Sequence, residues 1–395
     1  MLEATLRERA KGLLTAASGR SDVPPFMVMD VMAAAARIEA AGGHVIHMEV
    51  GQPAASAPKA AIQAARAALD SRIDYTAALG TPSLRERIAR HYRESYGFAV
   101  DSSRIVVTTG SSAAFILAFM AMFEPGDRVA VTVPGYPPYR HILTALGCEP
   151  VLIETTSETR HALTGEALLA AHHKAPLKGV LVASPANPTG TMMSREALSG
   201  LMAAAESAGI RFISDEIYHG LDYAFPAVTA AELSADALVI NSFSKYFCMT
   251  GWRIGWMVVP EPLVRPIERL QQNLSISVPT LSQIAAEAAF DGKPEMEEVK
   301  RGYLENRRIL IEGLPRAGLT KFLPADGAFY LYADVSDFTS DSLTFASEML
   351  EKAHVAATPG ADFDPIHGRQ FIRFSYARSA LEMREAVERI ARWLK

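Results

Sequence analysis

Cysteine is nearly absent from this chain of 395 residues, with Cys148 and Cys248 its only two. That excludes a disulfide framework and the clustered thiolates of a structural zinc site, and it suits a reducing, cytoplasmic setting. A basic excess is missing as well. Lys+Arg 39 against Asp+Glu 44 leaves a formal charge of -5, so small molecules are the expected partners, not nucleic acid or an anionic membrane. The longest apolar run, Ala113 to Phe123, is far short of the roughly 20 residues that cross a bilayer. The opening MLEATLRERAKGLLTAASGR mixes acids with bases and has no clean apolar core, so it reads as a short amphipathic helix and not as a signal or transit segment. The histidines form no HExxH pattern, and His172-His173 reads as part of a polar loop, so no metal is expected.

What is present is alternation. From 104 to 260 short β-rich runs alternate with longer helical patterns, as in a parallel sheet with crossover helices. The strand candidates are 104–109, 128–133, 150–155, 178–184, 210–214, 237–242 and 253–259. Between the fourth and fifth, Ser194 caps a helix whose Leu198, Leu201, Met202 and Ala205 recur at helical spacing until Gly209 ends it. After about 262 the pattern changes to a long helical stretch over 280–312, strands at 327–335 and 370–377, and a closing helix with Leu381, Met383, Val387, Ile390 and Leu394 on one face. The expectation is an α/β fold: a large domain over 48–284 with a mostly parallel sheet flanked by helices, and a smaller α+β domain formed by both chain ends, 1–47 and 285–395.

Ligands of open parallel sheets bind beyond the carboxyl ends of the strands, and there this sequence is polar. Strand 104–109 runs into Gly110-Ser111-Ser112 and a helix, which reads as an anion site or as an ordinary serine N-cap. Strand 178–184 leads to Asn187 between prolines, a presented amide or a plain Asx turn. Strand 210–214 ends in Asp215-Glu216 with Tyr218 beyond, and 237–242 in Ser242-Phe243-Ser244-Lys245 with Arg253 further on. Together these supply an amine able to form a Schiff base, a carboxylate, an amide with a phenol, and hydroxyls with a guanidinium for a phosphate. Pyridoxal phosphate asks for all of these.

With those residues in hand, the chain resembles the class I/II pyridoxal-phosphate-dependent aminotransferases of fold type I, the aspartate aminotransferase superfamily. The likeness spans nearly the whole length. It rests on Gly51-Gln52-Pro53, Tyr75 with Gly80, Thr109 to Ser112, Pro134 to Tyr139, Asn187 to Gly190, Asp215 to Tyr218, Ser242 to Lys245, Gly251-Trp252-Arg253 and Ile372 to Ser375, with SFSKYFCMTGWRIGW the most specific stretch. The resemblance implies that Lys245 holds the cofactor covalently and moves the substrate's α-proton, with a pKa brought down by burial and nearby cations. It implies that Asp215 meets the ring nitrogen, that Asn187 and Tyr218 bond the ring oxygen, and that Tyr136 stacks on the ring. Gly110, Ser111, Ser112, Ser242, Ser244 and Arg253 would cradle the phosphate, with Tyr75 reaching it from the second subunit of a homodimer. Arg373 would pair with the substrate α-carboxylate, helped by Asn187 and the backbone near Gly51. Glu216, His219 and Cys248 read as packing.

The two positions where relatives dedicated to dicarboxylic substrates offer a distal cation read SSAAF and NLSISVPT, without one. The expectation is transamination between L-amino acids and 2-oxo acids with a permissive side-chain pocket, Phe329 and Tyr139 among its walls, and glutamate with 2-oxoglutarate as one pair. Arg378 in YARSALEM stands where a small residue is expected. A carbon-sulfur β-lyase would use the same lysine, acid and arginine and is the main alternative. A cofactor-sensing DNA-binding regulator lacks its basic patch, and a nicotinamide enzyme lacks GxGxxG after the first strand.

Overall fold

The computed structural model describes residues 16–395. Most of the expected N-terminal amphipathic helix lies outside the described residues; within them the chain makes a short 3-10 turn at Gly19–Ser21 before the helix Met27–Ala40.

In chain order the strands are β1 (Ile46–His47), β2 (Ile105–Thr108), β3 (Arg128–Val133), β4 (Glu149–Glu154), β5 (Gly179–Ala183), β6 (Arg211–Asp215), β7 (Leu238–Ser242), β8 (Gly255–Val258), β9 (Lys321–Phe322), β10 (Tyr330–Asp334), β11 (Val355–Ala356), β12 (Thr358–Pro359) and β13 (Phe371–Ser375). The seven from β2 to β8 form one sheet in the order β2-β8-β7-β6-β5-β3-β4. β3 to β7 pair in parallel, and β8 runs antiparallel to both β2 and β7. The reversal has a local cause: the connection from β7 to β8 carries a 3-10 turn, Thr250–Trp252, where the parallel neighbours have crossover helices. That connection holds Lys245. β2, β7 and β8 are buried at every position, as expected of apolar runs covered on both faces. β12-β13-β10-β9 make a second, antiparallel sheet, and β1 pairs in parallel with β11.

Ser194 caps the helix Arg195–Ser207 by accepting from the Ala197 N–H. Three expectations are corrected. The stretch 280–312 is two helices, Thr280–Ala289 and Lys293–Gly313, because Pro294 starts the second and a side chain at Gly292 would collide with Pro58. His172 and His173 lie in the last turn of the helix Gly165–Lys174, not in a loop. Leu381 is 75% exposed, off the face on which Met383, Ala386 and Ile390 are buried.

Candidate active site

The carboxyl ends of the central strands and the segment after β1 enclose a cavity of about 250 Å³. Lys245 enters it just beyond β7, and its Nζ donates to the Gly51 carbonyl at 2.6 Å. Burial lowers the amine's pKa to about 8, and the Arg373 and Arg253 cations push the same way while Asp215 opposes them. Asp215 ends β6 and is 3% exposed. Its Oδ1 accepts from the Ile217 N–H at 3.1 Å and its Oδ2 from the Tyr139 hydroxyl. Burial pushes this carboxyl up to about 6, against those two hydrogen bonds and the Lys245 charge.

On one side of the lysine the helix Gly110–Met122 begins behind β2, and Thr109 at its N-cap makes no side-chain cap bond. Because the helix begins at Gly110, Ser111 and Ser112 fall inside its first turn and are not its N-cap; they line the cavity together with Arg253 and Ser244. Gly110 adopts φ +73, and a Cβ there would stand 2.7 Å from an Arg253 guanidinium nitrogen. This glycine-lined helix start with a guanidinium against it is a cradle for an anion. Ser242 stays outside the cavity: its hydroxyl meets Ser244 Oγ at 2.8 Å and accepts from the Ser244 N–H, bracing the loop. Tyr75 is 80% exposed and does not line this chain's cavity.

On the other side lies Arg373 of β13, 2% exposed, with its guanidinium between the rings of Tyr330 and Phe363 at 4.5 and 4.6 Å. It donates to Asn187 Oδ1 at 2.9 Å, to Thr358 Oγ1 at 3.1 Å and to the Glu49 carbonyl. Nε is buried without a partner, so an unsatisfied donor remains for a carboxylate. Tyr136 stands at the cavity wall, edge-on to Tyr139 at 5.2 Å and to Phe26 at 5.9 Å. The Tyr218 hydroxyl meets that of Tyr330 at 2.7 Å.

The structure thus brings Gly51, Ser111, Ser112, Tyr136, Asn187, Asp215, Tyr218, Ser244, Lys245, Arg253 and Arg373 to one cavity. Phe329 is fully buried away from it, packed edge-on to Tyr218, Tyr303 and Tyr330, and Tyr330 lines the wall instead. The strand-parity signal was available only through register, since Tyr332 pairs with Arg373 across β10 and β13 and puts the even-numbered residues of β10 on its face. Tyr139 does line the cavity, but its hydroxyl is committed to Asp215. Arg378 lies outside; its carbonyl accepts from Asn306 Nδ2 at 2.6 Å. Glu216 is held by the Ala230 N–H at 2.7 Å, His219 sits between the Tyr96 hydroxyl and the Ser184 carbonyl, and Cys248 is buried, which makes all three packing groups. Among the described residues no cluster of three His, Cys, Asp or Glu side chains is placed to hold a metal, and no helix is long and apolar enough to cross a membrane.

An enclosed amine with a lowered pKa, a buried carboxyl and an anion cradle fit pyridoxal phosphate. Comparison with known proteins agrees. Residues 43–390 match the family "Aminotransferase class I and II". The valine–pyruvate aminotransferase of Mycobacterium tuberculosis is 48% identical over 95% of this chain and 97% of its own length. A solved aminotransferase from the same organism superposes with a TM-score of 0.93 at 47% identity, covering 96% of this chain and 99% of that one. The aspartate aminotransferase of Thermus thermophilus does so at 0.90 and 31%, covering 96% and 99%. These relatives do not favour the lyase alternative. The chain belongs to the class I and II aminotransferases, pyridoxal-phosphate enzymes that exchange amino groups between amino acids and oxo acids.

Proposed function

We propose that this aminotransferase has a permissive side-chain pocket that takes small apolar L-amino acids readily, with glutamate and 2-oxoglutarate as one of its pairs. The observation that carries the reading is the charge inventory of the cavity. Its described lining includes three cations, Lys245, Arg253 and Arg373. The amine, the phosphate and the α-carboxylate account for all three, and the remaining wall includes Phe26, Val28 and Val50. An unpaired buried cation would exclude apolar substrates, and this wall sets no such barrier. The name of the valine–pyruvate relative supports an apolar donor. A distal carboxylate would meet the neutral amide of Gln52, which also lines the cavity.

When bound, the cofactor supplies a carbonyl to receive the amino group and a ring that accepts the electron pair left at Cα. Lys245 carries the proton from Cα, and its lowered pKa leaves a usable fraction of free amine near neutral pH. Asp215 would hold the proton on the ring nitrogen, and Asn187 and Tyr218 would donate toward the ring oxygen. Ser111, Ser112, Ser244, Arg253 and the amides after Gly110 would hold the phosphate, and Arg373 would orient the α-carboxylate. We place the enzyme in the cytoplasm as a homodimer, with Tyr75 turned toward the partner's phosphate site. We divide the chain into a large domain over 48–284 and a small one to which 285–395 and the described part of 1–47 contribute; residues 1–15 of that segment lie outside the described residues. Single-turnover reaction of the holoenzyme with a panel of amino acids tests the substrate reading: several donors, valine and alanine among them, should convert the cofactor to its amine form. A sole preference for aspartate would refute it, and pyruvate release from cysteine conjugates without an added oxo acid would favour the lyase.

A further inference from the structure

The segment Ile46 to Gly51 touches two of the three site cations through its backbone, since the Glu49 carbonyl accepts from Arg373 and the Gly51 carbonyl from Lys245. The Thr358 hydroxyl also donates to the Glu49 carbonyl at 2.7 Å while accepting from Arg373. Glu49 itself is wholly buried, and its Oε2 has no hydrogen-bond partner. A carboxylate in that position needs a counter-charge. His47, two residues earlier, supplies it: Nδ1 meets Glu49 Oε1 at 2.8 Å, and Nε2 meets Glu39 of the helix Met27–Ala40 at 3.0 Å. With a carboxylate on each ring nitrogen, the imidazole sits as a cation between two acids.

We propose that His47 and the Glu49 side chain are positioning residues for substrate binding: their ion pair fixes the carbonyl that holds Arg373, and so sets the affinity for the substrate α-carboxylate. The side chains of the pair do not line the cavity; they act through one peptide group. Without the imidazolium the buried Glu49 side chain loses its partner, and solvating it means moving the 47–49 segment toward water. That motion withdraws a hydrogen-bond acceptor from Arg373, whose other anchors are Asn187 and Thr358. Every amino acid and oxo acid shares the α-carboxylate, so the effect does not depend on side chain. The phosphate cradle lies at Gly110 and Arg253, away from the pair, and is left intact.

The inference rests on the assignment of Arg373 to the α-carboxylate, and the test separates the two. In the holoenzyme, His47→Gln should raise KM about three- to tenfold for amino donors and oxo-acid acceptors alike, with kcat and the absorption of the bound cofactor unchanged. Adding Glu49→Gln should bring KM back toward the parent value, because the buried charge is then gone; loss of mere packing would not be rescued. The double variant also covers the case in which His47→Gln alone folds poorly. An unmoved KM in His47→Gln, a fall in kcat with loss of cofactor, or no rescue in the double variant each overturns the proposal. Arg373→Lys is measured alongside. If it raises KM where His47→Gln does not, only the positioning role falls; if Arg373→Lys leaves KM unmoved, the carboxylate assignment falls and takes the positioning role with it.

Discussion

Tyr139→Phe removes one hydroxyl and keeps the ring, which packs edge-on against Phe115 and Tyr136 at 5.1 and 5.2 Å. The variant therefore tests the hydrogen bond to Asp215 with little change in packing. Burial has already raised Asp215 to about 6, and the Tyr139 hydroxyl is the largest effect holding it down. A hydrogen bond to a charged group contributes about 1.5 to 3 kcal/mol. At about 1.4 kcal/mol per pKa unit, its loss lifts Asp215 by about one to two units in the cofactor-free protein. The sign follows from the group being an acid: the carboxylate disappears as pH falls through its folded pKa, so a higher pKa moves that loss toward neutrality. A bound protonated ring nitrogen would lower the value in parent and variant alike and leave the difference. The acid limb of the kcat profile should thus shift upward by about one to two units, with activity recovering toward pH 9. Infrared titration of the carboxyl stretch in the cofactor-free proteins reads the same shift directly. Superimposable acid limbs and titrations would refute the claim that Tyr139 tunes Asp215.

Lys245→Ala should abolish multiple-turnover transamination, and borohydride reduction of the parent followed by peptide mapping should place the pyridoxyl group on Lys245; label on another lysine would refute the assignment. With its amine at about 8, cofactor-free protein should capture added pyridoxal phosphate faster as pH rises and level off above pH 8, whereas an ordinary lysine would keep gaining reactivity toward about 10.4. Gly51→Ala would drive a Cβ into the Tyr330 hydroxyl, so the melting temperature should fall with a cost of about 1 to 3 kcal/mol, and Tyr330→Phe in the same chain should relieve part of it. Raising the pH through about 9 discharges His47, whose pKa its two glutamates raise. Its contribution to stability is full below about 6.5 and fades toward 9, so the melting temperature of the parent should fall more steeply over that window than that of His47→Gln.

Much of the sheet was legible because its chemistry is local. Apolar runs such as IVVT and GVLVA can be covered on both faces only as interior strands, and the polar residues beyond them then fall at one edge. Lys245, Asp215 and Asn187 were readable for that reason. The reversed β8 was not, since direction depends on whether the intervening loop carries a helix, and the loop after β7 is committed instead to placing Lys245 and Arg253. Ser242 and Ser244 look equivalent in sequence, yet only the second reaches the cavity, because the first is consumed in holding it. Phe329 was expected in the wall, and Tyr330 stands there instead, for a related reason: only the pairing of β10 with β13 says which residue faces Arg373.

The contribution of Glu49 was the least legible, because it depends on contacts from distant parts of the chain. A glutamate two residues after a histidine in a short strand reads as a solvated pair until β11, β12 and β13 close around it: His47 pairs with Ala356, the Ser375 N–H bonds the Met48 carbonyl at 2.7 Å, and Thr358 and Arg373 bond the next one. Those partners lie more than 300 positions away in sequence. Those contacts tie the segment to the sheet that carries Arg373, and its Gly51 carbonyl reaches Lys245. A displacement of the Glu49 peptide group there changes the geometry at Arg373. Substrate affinity is therefore set partly by residues that never meet the substrate, and kinetic variants outside the cavity should be sought along residues 46 to 49 before the exposed loops.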